Sequence, residues 1–341
     1  VNTGGHMNIP SAGISDVERI EMQYPFLYFT RSHNPDGSGF GQYRGGLGSH
    51  RVYLIYGSKD CSVDYKPYGG VAQGGFGLGG GYPTGNGATR VIIEAGLAML
   101  DRVKHGEYPT AAAMREGQWG GSILPAGVPE RIPLPEGSLL VDYVAGGGGF
   151  GDPIDRDPQA VRGDFGRGWV SRSVAEKTYG VVLTGDGRAV DQAATEARRQ
   201  EIRNARKQQG RPPAQATDGA TENGWRRLLK FHAALDIATD GRRKMIRCAR
   251  CNHLFCNAED NYKLHALHQI THLNEVMPPL PSGEPYIGEY HIYSCPGCAT
   301  QLQVDLFSPS LGGDAVLWDT RIDAERLKLS GSKPSERGVR Q

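Results

Sequence analysis

The sequence "RCARCNHLFC" at residues 247–256 and the sequence "SCPGC" at residues 294–298 decide the fold of the second half of this chain. Together they contain five of the six cysteines, and each holds a Cys-x-x-Cys pair. Two such pairs, each on a short turn, place four sulfurs about 2.3 Å from one tetrahedral zinc ion. The spacing therefore predicts a structural Zn²⁺ site whose ligands are Cys248, Cys251, Cys295 and Cys298.

Other thiol and imidazole groups lie close to these pairs in the sequence. Cys256 and His253 are alternative ligands, and because a tetrahedral site closes at four, Cys256 is interpreted first as a core thiol. His265, His268 and His272 have the spacing of one face of a helix. Such a face suits a second metal site or a polar interface, and the closed cysteine site beside it favours the interface.

The composition places the chain among intracellular globular proteins. Its 341 residues suffice for two domains. Lys and Arg number 38 and Asp and Glu 37, so no net field directs the chain to nucleic acid or to a membrane surface. Forty-nine glycines without a period indicate many tight turns in β structure. Cysteines in metal-like spacing and the lack of a long apolar run favour a reducing compartment, so we expect a cytoplasmic protein.

The first half is predicted to be rich in strands. Alternating apolar residues predict strands within 24–29, 51–58 and 138–144, and residues 90–96 form a further apolar run. The period then changes to that of helices. Predicted helices begin after Asp157, after Ser171 or Ser173, and within the charged segment 193–210, with a hairpin around Asp186 and Gly187 between the last two.

Two glycine-rich segments, residues 69–87 and 146–151, contain Gly-x-Gly-x-x-Gly-like spacings. The first lacks the Gly-Lys-Ser/Thr ending of a phosphate-binding loop. In the second, Asp152-Pro153 interrupts the chain where a dinucleotide fold needs a helix to begin. The first segment is interpreted as a glycine-rich loop packed against a neighbouring chain or backbone, and no nucleotide site is assigned to either segment.

Parts of the sequence resemble two known families. The run "GGGGFGDPIDRDPQAVRGDFGRGWVSRSVAEKTYGVVL" at residues 146–183 resembles the C-terminal signature of the hydantoinase B/5-oxoprolinase family. The segment "DGSGFGQYRGGLG" at residues 36–48, preceded by "DVERIEMQYP" at residues 16–25, resembles the central glycine motif of that family. We expect the metal-ligand and substrate-facing residues of the family to lie upstream of Val1, so the catalytic residues of this chain are unknown.

The cysteine-rich part resembles the small zinc-carrying subunit of acetophenone carboxylase and, more distantly, of acetone carboxylase. The two resemblances together imply a subunit of a cytoplasmic, ATP-dependent, biotin-independent ketone carboxylase. They also imply hydantoinase A-like and hydantoinase B-like partners in a hetero-oligomer, with ATP and a further divalent metal on those partner subunits. In such an assembly the zinc domain would bridge subunits, without nucleic acid or membrane as partners.

The predicted fold class is α+β: a β-rich hydantoinase B-like region followed by helices and a zinc-ribbon domain. The predicted divisions are residues 1–209, a Pro/Ala/Thr-rich linker at 210–224, a zinc domain at 225–307 and a partly disordered tail at 308–341. In the tail, Leu317 and Trp318 are predicted to anchor the chain on a partner. Residues 225–240 are predicted to form a helix or a docking segment, and residues 288–295 and 301–307 to form strands around the second cysteine pair.

Two other functions remain open from the sequence. A hydantoinase or oxoprolinase-type amidohydrolase would share the first region, but those enzymes are not expected to carry the zinc domain. A nucleic-acid-binding zinc ribbon would use the basic run at residues 241–250, although acidic residues balance that run.

Overall fold

The computed structural model describes residues 16–64, 75–84, 89–94, 96–109, 113, 118–119, 123–124, 131–144, 146–216, 219–220, 224–277, 286–308 and 316–327. Residues 328–341, which belong to the tail with predicted partial disorder, lie outside these ranges.

The described residues form a mixed, strand-rich fold, as the sequence predicts. The helices are α1 (Val17–Gln23), α2 (Met99–Lys104), α3 (Pro158–Gly166), α4 (Arg172–Lys177), α5 (Gln192–Gln209) and α6 (Leu273–Val276). The strands of the first half are β1 (Phe26–His33), β2 (Ser49–Ile55), β3 (Cys61–Asp64), β4 (Thr89–Glu94), β5 (Ile123–Leu124), β6 (Arg131–Leu134) and β7 (Ser138–Val144). Those of the second half are β8 (Gly219–Ala220), β9 (Arg226–Lys230), β10 (Leu235–Thr239), β11 (Lys244–Cys248), β12 (His253–Asn257), β13 (Leu267–His272), β14 (Glu289–Ser294) and β15 (Gln301–Phe307).

The first sheet has the strand order β1-β2-β7-β4-β5, and all its pairs are antiparallel. Val52 on β2 lies opposite Val141 on β7, and both side chains are fully buried with Trp119 on one face of the sheet. Tyr53 and Leu140 are buried on the other face. The sheet therefore has a core on each side, which explains why consecutive residues are apolar at 52–55 of β2 and 139–141 of β7.

Three glycine-rich segments, residues 39–48, 75–84 and 146–151, pack backbone against backbone and are called the glycine layer below. A Cβ atom on Gly39 would lie 2.4 Å from the nitrogen of Gly149, and one on Gly45 would lie 1.9 Å from the oxygen of Gly147. Only glycine permits such an approach. For the described residues 75–84, this backbone packing agrees with the interpretation of the first glycine-rich segment.

The helices that follow begin where the sequence predicts. Asp157 accepts a hydrogen bond from the Gln159 amide, with Pro158 as the first residue of α3, and Ser171 caps α4 through the Val174 amide. The predicted hairpin is reduced to a single bridge between Leu183 and Val190.

The prediction of a helix at residues 225–240 is wrong, because these residues form the strands β9 and β10. Every residue of β10 is buried, and its Asp236 is paired with Arg247 on the adjacent β11. Strand neighbours on both sides take up the backbone hydrogen bonds, which the local spacing of leucines does not reveal.

The prediction that His265, His268 and His272 share one face of a helix is also wrong. His268 lies in strand β13 opposite Tyr293, whereas His265 lies in a 3₁₀ turn and donates from Nδ1 to the Ala216 oxygen at 2.6 Å. His272 precedes α6 and caps it. The three rings do not share a helix face, because pairing with β14 holds residues 267–272 extended.

The second half contains a five-stranded sheet of order β8-β12-β11-β10-β9 and a three-stranded sheet of order β13-β14-β15. The latter packs on the first half in a shared core, where Phe40, Tyr82 and Tyr179 meet Tyr290 and Ile292. Within the described part of the chain there is no helix long and apolar enough to cross a membrane.

Candidate metal centre

Each Cys-x-x-Cys turn ends in a residue with a left-handed backbone. Asn252 follows the first pair with φ 62° and Ala299 follows the second with φ 58°. The Asn252 amide donates to the Cys248 oxygen at 2.9 Å, and the Ala299 amide donates to the Cys295 oxygen at 2.8 Å. The two turns thus have the same local geometry, and each directs its two sulfurs to one point.

The four cysteine sulfurs lie within 4.8 Å of one another. The Sγ atoms of Cys248 and Cys298 are 3.7 Å apart, and those of Cys251 and Cys295 are 3.6 Å apart. A tetrahedron with zinc–sulfur bonds of about 2.3 Å has sulfur–sulfur edges of about 3.8 Å. The four cysteines are therefore positioned to bind one metal ion, and their separations and thiolate chemistry fit zinc.

Hydrogen bonds among these thiols divide them into two pairs. Bonds from Cys248 and Cys295 lower the pKa of Cys251 to about 7, and bonds from the other three thiols also lower the pKa of Cys298. Bonds from Cys251 and Cys298, together with burial, raise the pKa of Cys248. Bonds from the other three thiols, together with burial, raise the pKa of Cys295. Metals bind the thiolate form of cysteine. A bound cation would therefore take the place of the protons that the thiols share, and its positive charge would hold the four sulfurs together.

The two alternative ligands lie outside this group. Cys256 is buried on β12 opposite Ile246, where burial raises the pKa of its thiol to about 12. The ring of His253 packs edge-on against Phe255. Within the described ranges, the four cysteines of the two pairs form the one cluster of three or more metal-ligating groups. The core interpretation of Cys256 agrees with this placement.

The C-terminal end of α5 contacts the second cysteine turn through Arg206. Its guanidinium donates to both carboxylate oxygens of Asp152, at 2.7 and 3.0 Å, and to the Ala299 oxygen at 3.1 Å. A fourth hydrogen bond of 3.1 Å runs to Oε1 of Gln301. Arg206 thus joins the end of the glycine layer to the residues that directly follow the last cysteine.

Gln301 completes this contact from the other side. Its amide nitrogen donates to Oδ2 of Asp152 at 2.9 Å, and its side-chain Nε2 donates to the Gly80 oxygen at 2.7 Å. The approach is so close that a Cβ on Gly80 would lie 2.2 Å from the Gln301 oxygen. We call Asp152, Arg206, Gln301 and Gly80 the junction.

Further cations surround the cysteine cluster. Arg250, inside the first turn, donates to Asp155 at 2.7 Å, and Lys207 donates to the Gly297 oxygen in the second turn at 2.6 Å. Burial, followed by the nearby Asp152 charge, raises the pKa of Asp155. These positive groups offset the negative charge that four thiolates around a divalent ion would carry.

Sequence reasoning assigned no role to the junction. In the sequence, Asp152 is noted only for following the second glycine segment, and residues 193–210 only as a charged helix with few apolar positions. The side chain of Arg206 is in fact 10% exposed. A charged helix whose arginines face buried carboxylates has the same composition as a charged helix that is exposed to solvent. Composition alone therefore cannot distinguish the two kinds of helix.

Most basic side chains of the run at residues 241–250 have partners within the chain. Arg243 pairs with Asp240, and Arg247 pairs with the buried Asp236. Lys244 donates to the Ala324 oxygen. These contacts leave fewer free cations for nucleic acid than the sequence of the run indicates.

Comparison with known families agrees with both resemblances. Residues 2–153 match the hydantoinase B/oxoprolinase family, and residues 226–330 match the acetone carboxylase gamma subunit family.

Three relatives align with a large part of the chain. The acetone carboxylase alpha subunit of Xanthobacter autotrophicus is 32% identical over 62% of this chain and 29% of its own length. The caprolactamase subunit beta of Pseudomonas jessenii is 31% identical over 54% of this chain and 28% of its own length. The acetophenone carboxylase delta subunit of Aromatoleum aromaticum is 25% identical over 58% of this chain and 29% of its own length.

A solved nucleotide-free structure of acetone carboxylase superposes on 60% of this chain and 28% of that chain, with a TM-score of 0.53 and 28% sequence identity. The chain spans 28–29% of the length of the three relatives above. The chain therefore joins a region that matches the hydantoinase B/oxoprolinase family, residues 2–153, to a region that matches the acetone carboxylase gamma subunit family, residues 226–330.

Proposed function

We propose that this chain is a subunit of an ATP-dependent, biotin-independent ketone carboxylase. The observation that carries the proposal is the presence of two family regions in one polypeptide, one of hydantoinase B type and one of acetone carboxylase gamma type. The relatives from acetone carboxylase and acetophenone carboxylase support the same function. In this proposal ATP and a further divalent metal are bound by hydantoinase A-like and B-like partner subunits, and no catalytic residue is assigned to this chain.

The cysteine cluster has a structural part in this proposal. Cys248, Cys251, Cys295 and Cys298 hold one Zn²⁺, which fixes the second turn and with it the position of Gln301. The sulfur separations of 3.6 and 3.7 Å and the hydrogen bonds of the junction support this role. The zinc domain thereby completes the hydantoinase B-like region of its own chain and offers its outer surface for bridging to partner subunits.

The division of the chain into residues 1–209, 210–224, 225–307 and 308–341 remains part of the proposal. The described residues of the proposed linker are not isolated from the zinc domain, since the Arg211 and His268 backbones exchange two hydrogen bonds. In the tail, Leu317 and Trp318 are 54% and 42% exposed, which is compatible with the proposed contact with a partner.

One relative favours a second candidate, an ATP-dependent amidohydrolase. The caprolactamase subunit beta is 31% identical to this chain, a value close to that of the acetone carboxylase alpha subunit. The match of residues 226–330 to an acetone carboxylase family weighs toward the carboxylase.

The test is to purify the chain from its native source with its bound partners and to assay that complex in parallel. With ATP and labelled bicarbonate, we expect acid-stable label to be fixed on acetone or acetophenone, and no fixation without ATP. Hydrolysis of caprolactam or 5-oxoproline by the same complex, without label fixation, would support the amidohydrolase instead. A chain that elutes alone, or with nucleic acid released by salt, would contradict both.

A further inference from the structure

A cavity of about 510 Å³ lies between the helices α4 and α5 and the part of the zinc region formed by β13, α6 and β14. Its walls include Tyr82 from the glycine layer, Val174 and Ile202 from the helices, and Met277 and Ile292 from the zinc region. The cavity is therefore created by the packing of the two family regions on one another, with the intervening helices as its third wall.

Two lining side chains of the cavity are fixed in place by hydrogen bonds. Arg206 and Gln301 line it, and both are held in the junction by the hydrogen bonds to Asp152. The Tyr82 hydroxyl, on the same wall, lies 3.5 Å from Oε1 of Gln301. Because these side chains already have hydrogen-bond partners, they determine the shape of the cavity more than they offer hydrogen bonds to a ligand.

Other lining residues, among them the exposed Lys177 and Ser173, have hydrogen-bond donors that no described protein group uses. Lys177 lines the cavity and makes no ion pair or hydrogen bond with another residue in the described ranges. The hydroxyls of Ser173, Thr178 and Thr271 also line it, and within the same ranges they have no hydrogen-bond partner. An ammonium and three hydroxyls are thus left for a ligand or for solvent.

The two acidic residues of the lining, Asp36 and Glu275, do not neutralise the charge of Lys177. Oδ1 of Asp36 accepts the Ser171 amide at 2.8 Å, and Oε1 of Glu275 accepts the His272 amide at 3.3 Å. Both carboxylates are thereby held against backbone donors, and neither lies within ion-pair distance of Lys177 among the described residues. The group that the lining lacks is an anion next to Lys177.

Aliphatic side chains form another part of the lining, beside the polar residues Gln209, Gln269 and Asn274. Val174 and Met277 are buried, and Ile202, Val276 and Ile292 contribute further aliphatic surface. A ligand that fills the cavity would bury an apolar body there while its charged end meets Lys177 and the hydroxyls. One ammonium suits a singly charged carboxylate better than a phosphate dianion, which needs more donors or cations.

We propose that this cavity binds a small carboxylic acid with a short aliphatic body, with the carboxylate on Lys177 and the body against Val174, Ile202 and Met277. The site is distinct from the cysteine cluster and does not depend on the proposed carboxylase function.

The test uses hexanoate as the probe, with hexylammonium as a matched ligand of opposite charge, in isothermal titration calorimetry on the full chain. We expect hexanoate to bind and hexylammonium not to bind. Lys177→Met should weaken hexanoate at least about tenfold, because a hydrogen-bonded charge is removed. Lys230→Met is the control: Lys230 lines a different cavity and should leave hexanoate affinity unchanged.

A second variant tests the place of binding. Ala205 lines the cavity from α5, and Ala205→Leu adds aliphatic volume inside it without breaking the helix. Hexanoate binding should be lost while circular dichroism and the melting temperature stay near those of the parent. If Ala205→Leu does not fold, Lys177→Met and hexylammonium still decide the question. Equal binding of the two probes, undiminished binding to Lys177→Met, or no binding of hexanoate to the parent chain would each overturn the proposal.

Discussion

Arg206 binds Asp152 through two parallel hydrogen bonds of 2.7 and 3.0 Å, with side chains that are only 10% and 2% exposed. Asp152 ends the glycine layer and Arg206 lies near the end of α5. Both also contact Gln301, three residues after the last cysteine of the cluster. One buried ion pair therefore connects the hydantoinase B-like region to the candidate metal centre.

Removal of Arg206 should be strongly destabilising. Arg206→Met leaves the Asp152 carboxylate buried without its cation, which costs about 3–5 kcal/mol in the free energy of unfolding. The control on the same helix is Arg198→Met, whose pair with Glu201 is 40% and 65% exposed and should change that free energy by less than about 1 kcal/mol. Denaturant titration of both variants measures the difference. Equal losses would mean that the junction adds nothing beyond an ordinary surface pair.

Gly80 should tolerate no side chain. A Cβ there would lie 2.2 Å from the Gln301 oxygen, at φ +101°. Gly57 also has a positive φ, +80°, but open space around its Cβ position. Gly57→Ala should cost about 1–2 kcal/mol from backbone strain alone. Gly80→Ala should cost about 1–3 kcal/mol more, because backbone must move to relieve the contact. Denaturation midpoints compare the two, and a loss no greater at Gly80 than at Gly57 would show that the two regions do not meet there.

Replacement of one cluster cysteine should release the metal. Cys295→Ser removes a thiolate from the tetrahedral set, so we expect the chain to lose about one equivalent of zinc per molecule and the structure of the zinc region with it. Cys256→Ala removes a buried thiol outside the cluster and should retain the metal. Elemental analysis of the purified proteins, with circular dichroism, gives both results. Retention of zinc in Cys295→Ser, or its loss in Cys256→Ala, would place the site on other residues.

His232 should make stability depend on pH. Burial lowers the pKa of His232 to about 4, and its ring is held between the Leu302 oxygen and the Ala234 amide. The unfolded chain, with a histidine pKa near 6.5, takes up the proton first as the pH falls. The contribution of His232 is therefore present above about pH 6.5 and is lost progressively toward pH 4.

Between pH 7.5 and 5.5 this loss amounts to about 1.3 kcal/mol in the free energy of unfolding. The same measurement on His232→Gln should show a decrease smaller by that amount, whatever the absolute stability of the variant. Parallel pH profiles for parent and variant would mean that His232 titrates normally in the folded chain.

Several local features could be predicted from the sequence because they depend on a few consecutive residues. The Cys-x-x-Cys spacing predicted the turns that bring the four sulfurs together, and the Asp157-Pro158 pair predicted the start of α3. The alternating apolar residues of 138–144 predicted β7 with its bounds. In each case the short-range geometry and the long-range packing favour the same conformation.

Other features required the tertiary structure. Residues 225–240 and 267–272 have apolar or histidine spacings that suit a helix, yet strand partners from distant parts of the chain hold them extended. A helical spacing over so few residues is weak, and the ladder bonds supplied by neighbouring strands outweigh it.

The cysteine sequences by themselves determined that four sulfurs can enclose one metal ion, because a turn of four residues fixes where its two thiols point. Only the tertiary structure decided that this cluster lies against Asp152, Arg206 and the glycine layer. The physical reason is that buried ion pairs and glycine contacts form between residues up to 221 positions apart, as Gly80 and Gln301 are. No local pattern specifies which carboxylate a buried arginine will reach.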